Sequence, residues 1–188
     1  MKKNLMNHAA GRILFTFFLC CTMTTTVVNA QNAKSTIKKG ERLAKDADYA
    51  PKDWKKQYIA AQFYLNESNG TPNTKLAEKY ATRALEIAKS QTEKRDTILG
   101  MSYELMSIVG MYNKNYDQMI GSYDQAIRAY VDALGYQNAA IPPRIAFLGS
   151  LKWMLHSSGA YPYGDADAVK TIREAFILNN QLPEGQRA

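Results

Sequence analysis

Reactive side chains are scarce in this sequence, and those it has sit in the wrong place for chemistry. The 188 residues hold two cysteines and two histidines, of which Cys20, Cys21 and His8 all fall within the first thirty. That stretch also lacks acidic residues. It opens with the basic Met1-Lys2-Lys3, carries Arg12, continues through the apolar run Ile13 to Cys21 and ends on the small residues Val28-Asn29-Ala30. The pattern is that of a secretory signal peptide over residues 1–30, cleaved after Ala30. The apolar run is shorter than the ~20 residues that span a bilayer, so no stable membrane span is expected after cleavage. Acylation of Cys20 or Cys21 is the lesser alternative, because Phe17-Phe18-Leu19 precedes them instead of a leucine followed by small residues. The exported chain, residues 31–188, would then have no cysteine and only His156. That excludes disulfides, thiolate nucleophiles and Cys/His metal sites.

An excess of one charge is also missing. The net charge of +7 comes partly from the leader: without Lys2, Lys3 and Arg12, 21 basic residues face 17 acidic ones, leaving +4. The Lys and Arg are spread along the chain, which gives nucleic-acid binding no support. Motifs for catalysis are absent as well, with no G-x-S-x-G elbow, no phosphate-binding glycine loop and no H-E-x-x-H. We therefore expect a non-enzymatic protein with no catalytic residues, no metal and no cofactor. Asp165 and Asp167 stand close together, but their place at a predicted helix start makes capping and dipole complementarity their expected role.

What the chain does contain is a stripe of small and apolar residues at helical spacing, three times over. Ala77, Ala81, Ala84 and Leu85 lie at i, i+4, i+7 and i+8, as do Met119, Tyr123, Ala126 and Ile127, and again Ala168, Ile172, Ala175 and Phe176. Each set marks one face of a helix suited to receive another helix. Punctuation divides the exported part into about seven helices. The first runs near Ser35 to Asp48, and the second to about Asn66 with Pro51 in its first turn. The third ends near Ser90; the fourth and fifth cover about Glu93 to Tyr112 and Tyr116 to Leu134. The sixth opens at Pro142-Pro143 and ends near Ser158, and the seventh follows Asp165, with Ala168, Val169, Ile172, Ala175 and Phe176 as its apolar face. Only Asn113-Lys114-Asn115 separates the fourth and fifth, a link short enough to make them antiparallel neighbours. Strict alternation of apolar and polar residues is rare, so the expected fold is all-α.

The segment Tyr103-x2-Met106-Ser107-x2-Gly110, followed by Asn115-Tyr116-Asp117-x-Met119-x3-Tyr123-x2-Ala126-Ile127, resembles a tetratricopeptide repeat. It departs from that pattern at Gly110, where a large aromatic is usual, at Lys114, where Gly is usual, and at Met119, where Ala is usual. The other two pairs match mainly in their second helices. Their equivalent positions are 42 and 49 residues apart (Ala77 to Met119, Met119 to Ala168), against ~34 in the family, with loops absorbing the excess. The resemblance implies an α-solenoid of about three degenerate TPR-like helix pairs plus an N-terminal helix, occupying residues 31–188.

Such folds build surfaces for partners. Trp54, Tyr58, Tyr103, Tyr112 and Trp153 lie on the helices expected to line the inner curve, where rigid amphipathic rings serve as anchors for a protein or peptide. Each can equally serve as a packing residue between helices. Glu104, facing out of a helix rich in Met and Tyr, is the carboxylate candidate for partner binding or acid-base chemistry, with a solvated helix charge as its plainer reading. Recognition of a terminal carboxylate is not expected, since that helix presents Met101, Glu104 and Ile108 in place of Asn, Lys or Arg. The function expected is an exported scaffold or adaptor of the cell envelope, periplasmic or extracellular given a leader of bacterial type. The alternative is an envelope protein that binds a glycan or small ligand on its aromatic face. At the C-terminal helix, Phe176-Ile177-Leu178 has no polar capping element after it, so self-association, a partner protein or a missing continuation of the chain is expected to cover that end.

Overall fold

A computed structural model describes residues 30–66, 70, 72–91, 97–160 and 164–187. The leader expected over residues 1–30, with Cys20 and Cys21, lies outside them but for Ala30. Among the described residues there are seven α-helices, one 3₁₀ turn at Glu184–Gln186, and no strand, so the protein is all-α as expected. The helices are α1 Ala30–Tyr49, α2 Trp54–Leu65, α3 Thr74–Ser90, α4 Ile98–Tyr112, α5 Tyr116–Leu134, α6 Ile141–Ser157 and α7 Asp165–Gln181. None is long and apolar enough to cross a membrane.

Short polar residues start three of these helices. Asp53, Asn73 and Asn115 each accept a hydrogen bond from the backbone N–H three residues on, at 3.1 Å, which satisfies a donor that a helix start leaves free. Pro51 therefore belongs to the turn before α2 and not to its first turn, because Asp53 holds the capping position. Asp165 does not cap α7 either. Gly164 occupies that position without a side-chain bond, and Asp165 and Asp167 sit in the first turn, where their charges face the positive helix end.

The helices associate in sequence order, most closely as α2 with α3, α4 with α5 and α6 with α7. Close approach needs small residues. A Cβ placed on Gly110 of α4 would stand 2.7 Å from the backbone nitrogen of Met119 and 3.0 Å from the carbonyl oxygen of Asn115, both at the start of α5. Beside it, the buried Ser107 donates to the Met119 carbonyl at 2.8 Å. Gly110, a departure in the repeat pattern, is thus the residue that lets α5 lie on α4. Gly149 does the same for α6, since its Cβ would meet the Ala168 carbonyl oxygen and the Ile172 nitrogen at 3.1 Å. The turn between α4 and α5 closes with Asn115 N–H donating to the Gly110 carbonyl at 2.8 Å, and it holds Lys114 at φ 56°. That left-handed conformation explains why glycine suits the position better than lysine.

Two apolar cores follow one another along the chain. The N-terminal one gathers Ala47, Ala60, Ala61, Leu65, Ala77, Tyr80 and Ala81 with Leu105 and Val109 of α4. The C-terminal one gathers Met119, Ile120, Ile127 and Tyr130 with Ile141, Ile145, Leu148 and Leu151, and Met101, Tyr103 and Met111 of α4 pack on it. α4 thus belongs to both. At the N-terminal end, α1 is tied down by Gln57, fully buried, which donates to the carbonyls of Ala47 and Ala50 at 2.7 and 3.1 Å. Lys79 and Arg83 of α3 also bind Asp48 of α1, at 2.9 and 2.6 Å, and lower its carboxyl pKa, the hydrogen bond from Lys79 being the largest influence.

At the other end the expected face of α7 is turned. Ala168 and Ala175 are buried with Thr171 and Leu178, whereas Val169, Ile172 and Phe176 are exposed. The stripe read from sequence mixed two faces. The row 168, 171, 175, 178 is buried, Ile172 sets its Cγ1 against Gly149 of α6 with part of its side chain exposed, and Val169 and Phe176 point to solvent.

Candidate functional site

Side chains from four helices converge on Glu104. Its place on α4 is fixed by the apolar rows on either side, which leave the carboxylate at the edge of both cores. Tyr130, one of the buried apolar row of α5, donates its hydroxyl to Oε2 at 3.0 Å. Arg144, in the first turn of α6, donates from Nε to Oε1 at 3.0 Å and from Nη1 to the Ala140 carbonyl at 2.9 Å. The guanidinium also lies 4.2 Å above the centre of the Tyr130 ring. On the opposite side a Cβ on Gly100 would be 2.9 Å from that ring, so the absence of a side chain at Gly100 is what admits Tyr130. Tyr130 is thereby held between the α4 backbone and an arginine, with its hydroxyl committed to Glu104.

Around this ion pair stand more rings. Trp54 and Tyr58, one turn apart on α2, stack with centroids 4.9 Å apart. The Trp54 indole N–H donates to Ser102 Oγ at 2.7 Å, fixing the platform against α4 two residues from Glu104. On the α5–α6 side, Tyr123 and Phe147 meet at 5.1 Å.

The electrostatics confirm the convergence. Burial raises the phenol pKa of Tyr58, Tyr123 and Tyr130, and the charge of Glu104 raises each further. Tyr123 and Tyr130 are held far above the ordinary phenol value. Burial works to lower the Arg144 pKa, but Glu104 and Tyr130 overcome it and keep the guanidinium charged. Side-chain exposures of 26% for Glu104 and 29% for Arg144 place the pair at the boundary between core and solvent. Each carboxylate oxygen accepts one described bond and has a second lone pair for an incoming donor. Chemically, the cluster offers a carboxylate to satisfy, beside rings of which Tyr58 packs on the N-terminal core and Tyr123 and Phe147 on the C-terminal one.

No known protein family, curated protein or solved structure matches this chain. The site is therefore characterised by its own geometry. Among the described residues no group of His, Cys, Asp and Glu is arranged to hold a metal ion.

Of the residues singled out from sequence, the structure brings Trp54, Tyr58 and Glu104 into one neighbourhood. It sends the other three elsewhere. Tyr103 packs on the C-terminal core with the Lys89 ammonium 5.5 Å from its ring centre. Tyr112 packs, half-buried, on the N-terminal core. Trp153 is exposed on α6. Sequence reading missed Arg144, Tyr130, Tyr123, Phe147 and Ser102. A signal for Arg144 was available: it is the only charged residue between Asp132 and Lys152, set in an otherwise apolar first half of α6. A lone arginine in such a run needs a carboxylate partner.

Two cavities lie apart from this cluster. One of about 640 Å³ is bounded by Leu134, Tyr136, Asn138 and Gln186, and one of about 220 Å³ lies between α5, α6 and α7 and is lined by Asp124, Lys152, Asp167 and Thr171. In the second, Lys152 and Asp167 pair at 2.9 Å.

Proposed function

We propose that this chain is an exported, non-enzymatic adaptor, a TPR-like stack of three helix pairs behind α1, that binds a protein or peptide segment across α2, α4 and α6. The observation that carries this reading is the Glu104 cluster: a stacked Trp54–Tyr58 platform, a carboxylate and a paired arginine, contributed by the first helix of each pair. In a helical stack those helices form the inner curve, so the three contributions would lie along one groove. Rigid rings give contact area at low entropic cost. The free lone pairs of Glu104 suit a segment that presents donors, such as backbone N–H groups, Lys or Arg, and the balancing Arg144 keeps the site from being strongly acidic. The same features disfavour capture of a terminal carboxylate.

The test is selection from a random-peptide display library against the protein purified after expression with its own leader. Selected peptides are expected to be enriched in Lys or Arg and to lose about tenfold or more in affinity on Trp54→Ala, the loss typical of a central aromatic anchor. Glu104→Gln should weaken the basic peptides selectively. Failure to select any peptide, or selected peptides indifferent to both variants with helical content retained, would overturn the proposal. Stabilisation by oligosaccharides in place of peptides would favour the glycan-binding alternative.

A further inference from the structure

We infer that the outward crest of α1 is a docking surface for the anionic face of a lipid bilayer, to which the protein binds peripherally through Lys38, Arg42, Lys45 and Tyr49. This surface lies outside the Glu104 cluster and is independent of the peptide groove proposed above, so each can fail alone.

The net charge of the chain is concentrated there. Residues 31–56 hold eight basic and four acidic side chains, whereas residues 57–188 hold thirteen of each, so the whole +4 of residues 31–188 lies in the first 26. Basic residues are spread along the sequence, but only in this segment do carboxylates fail to balance them.

The helix sorts these charges by face. α1 packs on α2 through Gly40, where a Cβ would stand 2.6 Å from the Phe63 ring, and through the buried Ala47. At about 100° per residue, Lys38, Arg42, Lys45 and Tyr49 fall within ~60° of one another on the side opposite those two, a row ~16 Å long. All four are exposed, Tyr49 by 78%. None of the three cations pairs with a carboxylate among the described residues, and the Lys45 ammonium lies 5.7 Å from the centre of the Tyr49 ring. The carboxylates stand off the crest. Glu41 lies ~40° beyond the row on one flank and Asp46 ~40° beyond it on the other. Asp48, further round the Glu41 flank, is already held by Lys79 and Arg83, and the exposed Ile37 is on that flank too. Past Tyr49, the exposed Lys52 and Lys55 continue the positive charge into the start of α2.

This arrangement selects the occupant. A planar surface touches only the crest of a helix, where it meets three cations and an amphipathic ring. A polymer that wraps around α1, or a concave acidic protein, would reach the flanks and meet Glu41 and Asp46. Clusters of Lys and Arg on an amphipathic helix are what anionic headgroups attract, and Tyr is favoured at the boundary between membrane and water. Attachment of this kind is reversible and needs no helix that crosses the bilayer.

Cosedimentation of the protein, expressed with its own leader, with vesicles of phosphatidylglycerol and phosphatidylcholine in equal parts tests this. The protein should bind these at low ionic strength, ignore vesicles of phosphatidylcholine alone, and be released by ~1 M salt, where the screening length falls to ~3 Å. Each crest cation should contribute about fivefold to the partition coefficient, so Lys38→Gln, Arg42→Gln and Lys45→Gln together should weaken it by about 100-fold. Tyr49→Ser should weaken it and Tyr49→Trp tighten it. Lys170→Gln with Arg173→Gln, on α7, and Trp54→Ala should leave it nearly unchanged. The inference is overturned by any of four results: no binding to the mixed vesicles, equal binding to the neutral ones, a triple variant that binds like the parent at unchanged helical content, or tighter binding per phosphate to a single-stranded oligonucleotide than to the vesicles.

Discussion

Two glycines in adjacent helices should respond to the same substitution with opposite signs. Gly121 lies on the exposed side of α5, and a Cβ there would meet nothing within 4 Å. Gly121→Ala therefore removes only the backbone entropy that glycine loses in a helix, a gain of about 0.5–1 kcal/mol. Gly110→Ala makes the same gain but places its methyl 2.7 Å from Met119 N and 3.0 Å from Asn115 O. Both are backbone atoms at the start of a helix, so no side chain can rotate aside. Relief requires α5 to move off α4 by about half an ångström or more, at the ~1–3 kcal/mol of an overpacked core. The same shift stretches the buried Ser107–Met119 hydrogen bond, worth ~1 kcal/mol. The net cost is about 1–3 kcal/mol. At ~2–4 °C per kcal/mol for a chain of this size, Gly110→Ala should lower Tm by about 2–12 °C while Gly121→Ala raises it by about 1–4 °C. Urea unfolding followed by circular dichroism should give the same order. A Gly110→Ala protein as stable as Gly121→Ala would refute the claim that close backbone approach at Gly110 sets the α4–α5 packing.

Removing the carboxylate in Glu104→Ala should cost about 1.5–3 kcal/mol in urea unfolding, because it strands the Arg144 guanidinium and the Tyr130 hydroxyl at a half-buried site; a loss below 0.5 kcal/mol would show the ion pair to be inert. Tyr123 and Tyr130 hold their phenol protons to higher pH when folded than when unfolded. Their contribution is therefore complete below about pH 10 and should decline by ~1.4 kcal/mol per pH unit per group above it. Denaturant midpoints at rising alkaline pH should show this, with a shallower fall for Tyr130→Phe. Lys114→Gly should stabilise by up to about 1 kcal/mol, since it relieves a left-handed backbone, less the entropy of a freer unfolded chain. An unchanged or lower Tm would count against strain at that turn.

Local signals carried most of the fold. Several helix bounds followed from Pro, Gly and short polar residues, though Pro51 and Asp165 were not the start signals expected of them, and the link Asn113–Asn115 was enough to pair α4 with α5. What sequence spacing did not fix was which side of a helix is buried when two apolar rows lie within a quarter turn. On α7, Ala168 and Ala175 are buried, Val169 and Phe176 are exposed, and Ile172 lies between with its Cγ1 against Gly149, a division that only the position of α6 makes. Reading the site was harder for the same reason. Trp54 and Tyr58 are neighbours by helical period alone, but Glu104 finds Tyr130 and Arg144 at separations of 26 and 40 residues. Partners that distant are chosen by how helices stack, and Gly100, whose bare backbone makes room for the ring, reads in the sequence as an ordinary helix glycine.

The membership of α4 in both cores bears on how the molecule comes apart. With Leu105 and Val109 committed to the N-terminal core, and Met101, Tyr103 and Met111 to the C-terminal one, the two halves share, among the described residues, little else than these fifteen. Cooperativity between them has to pass through a single helix that starts without a side-chain cap. Loosening α4 would split one unfolding transition into two. A segment bound across Trp54, Glu104 and Arg144 would clasp that helix from both sides, and would fasten the two halves into one mechanical unit.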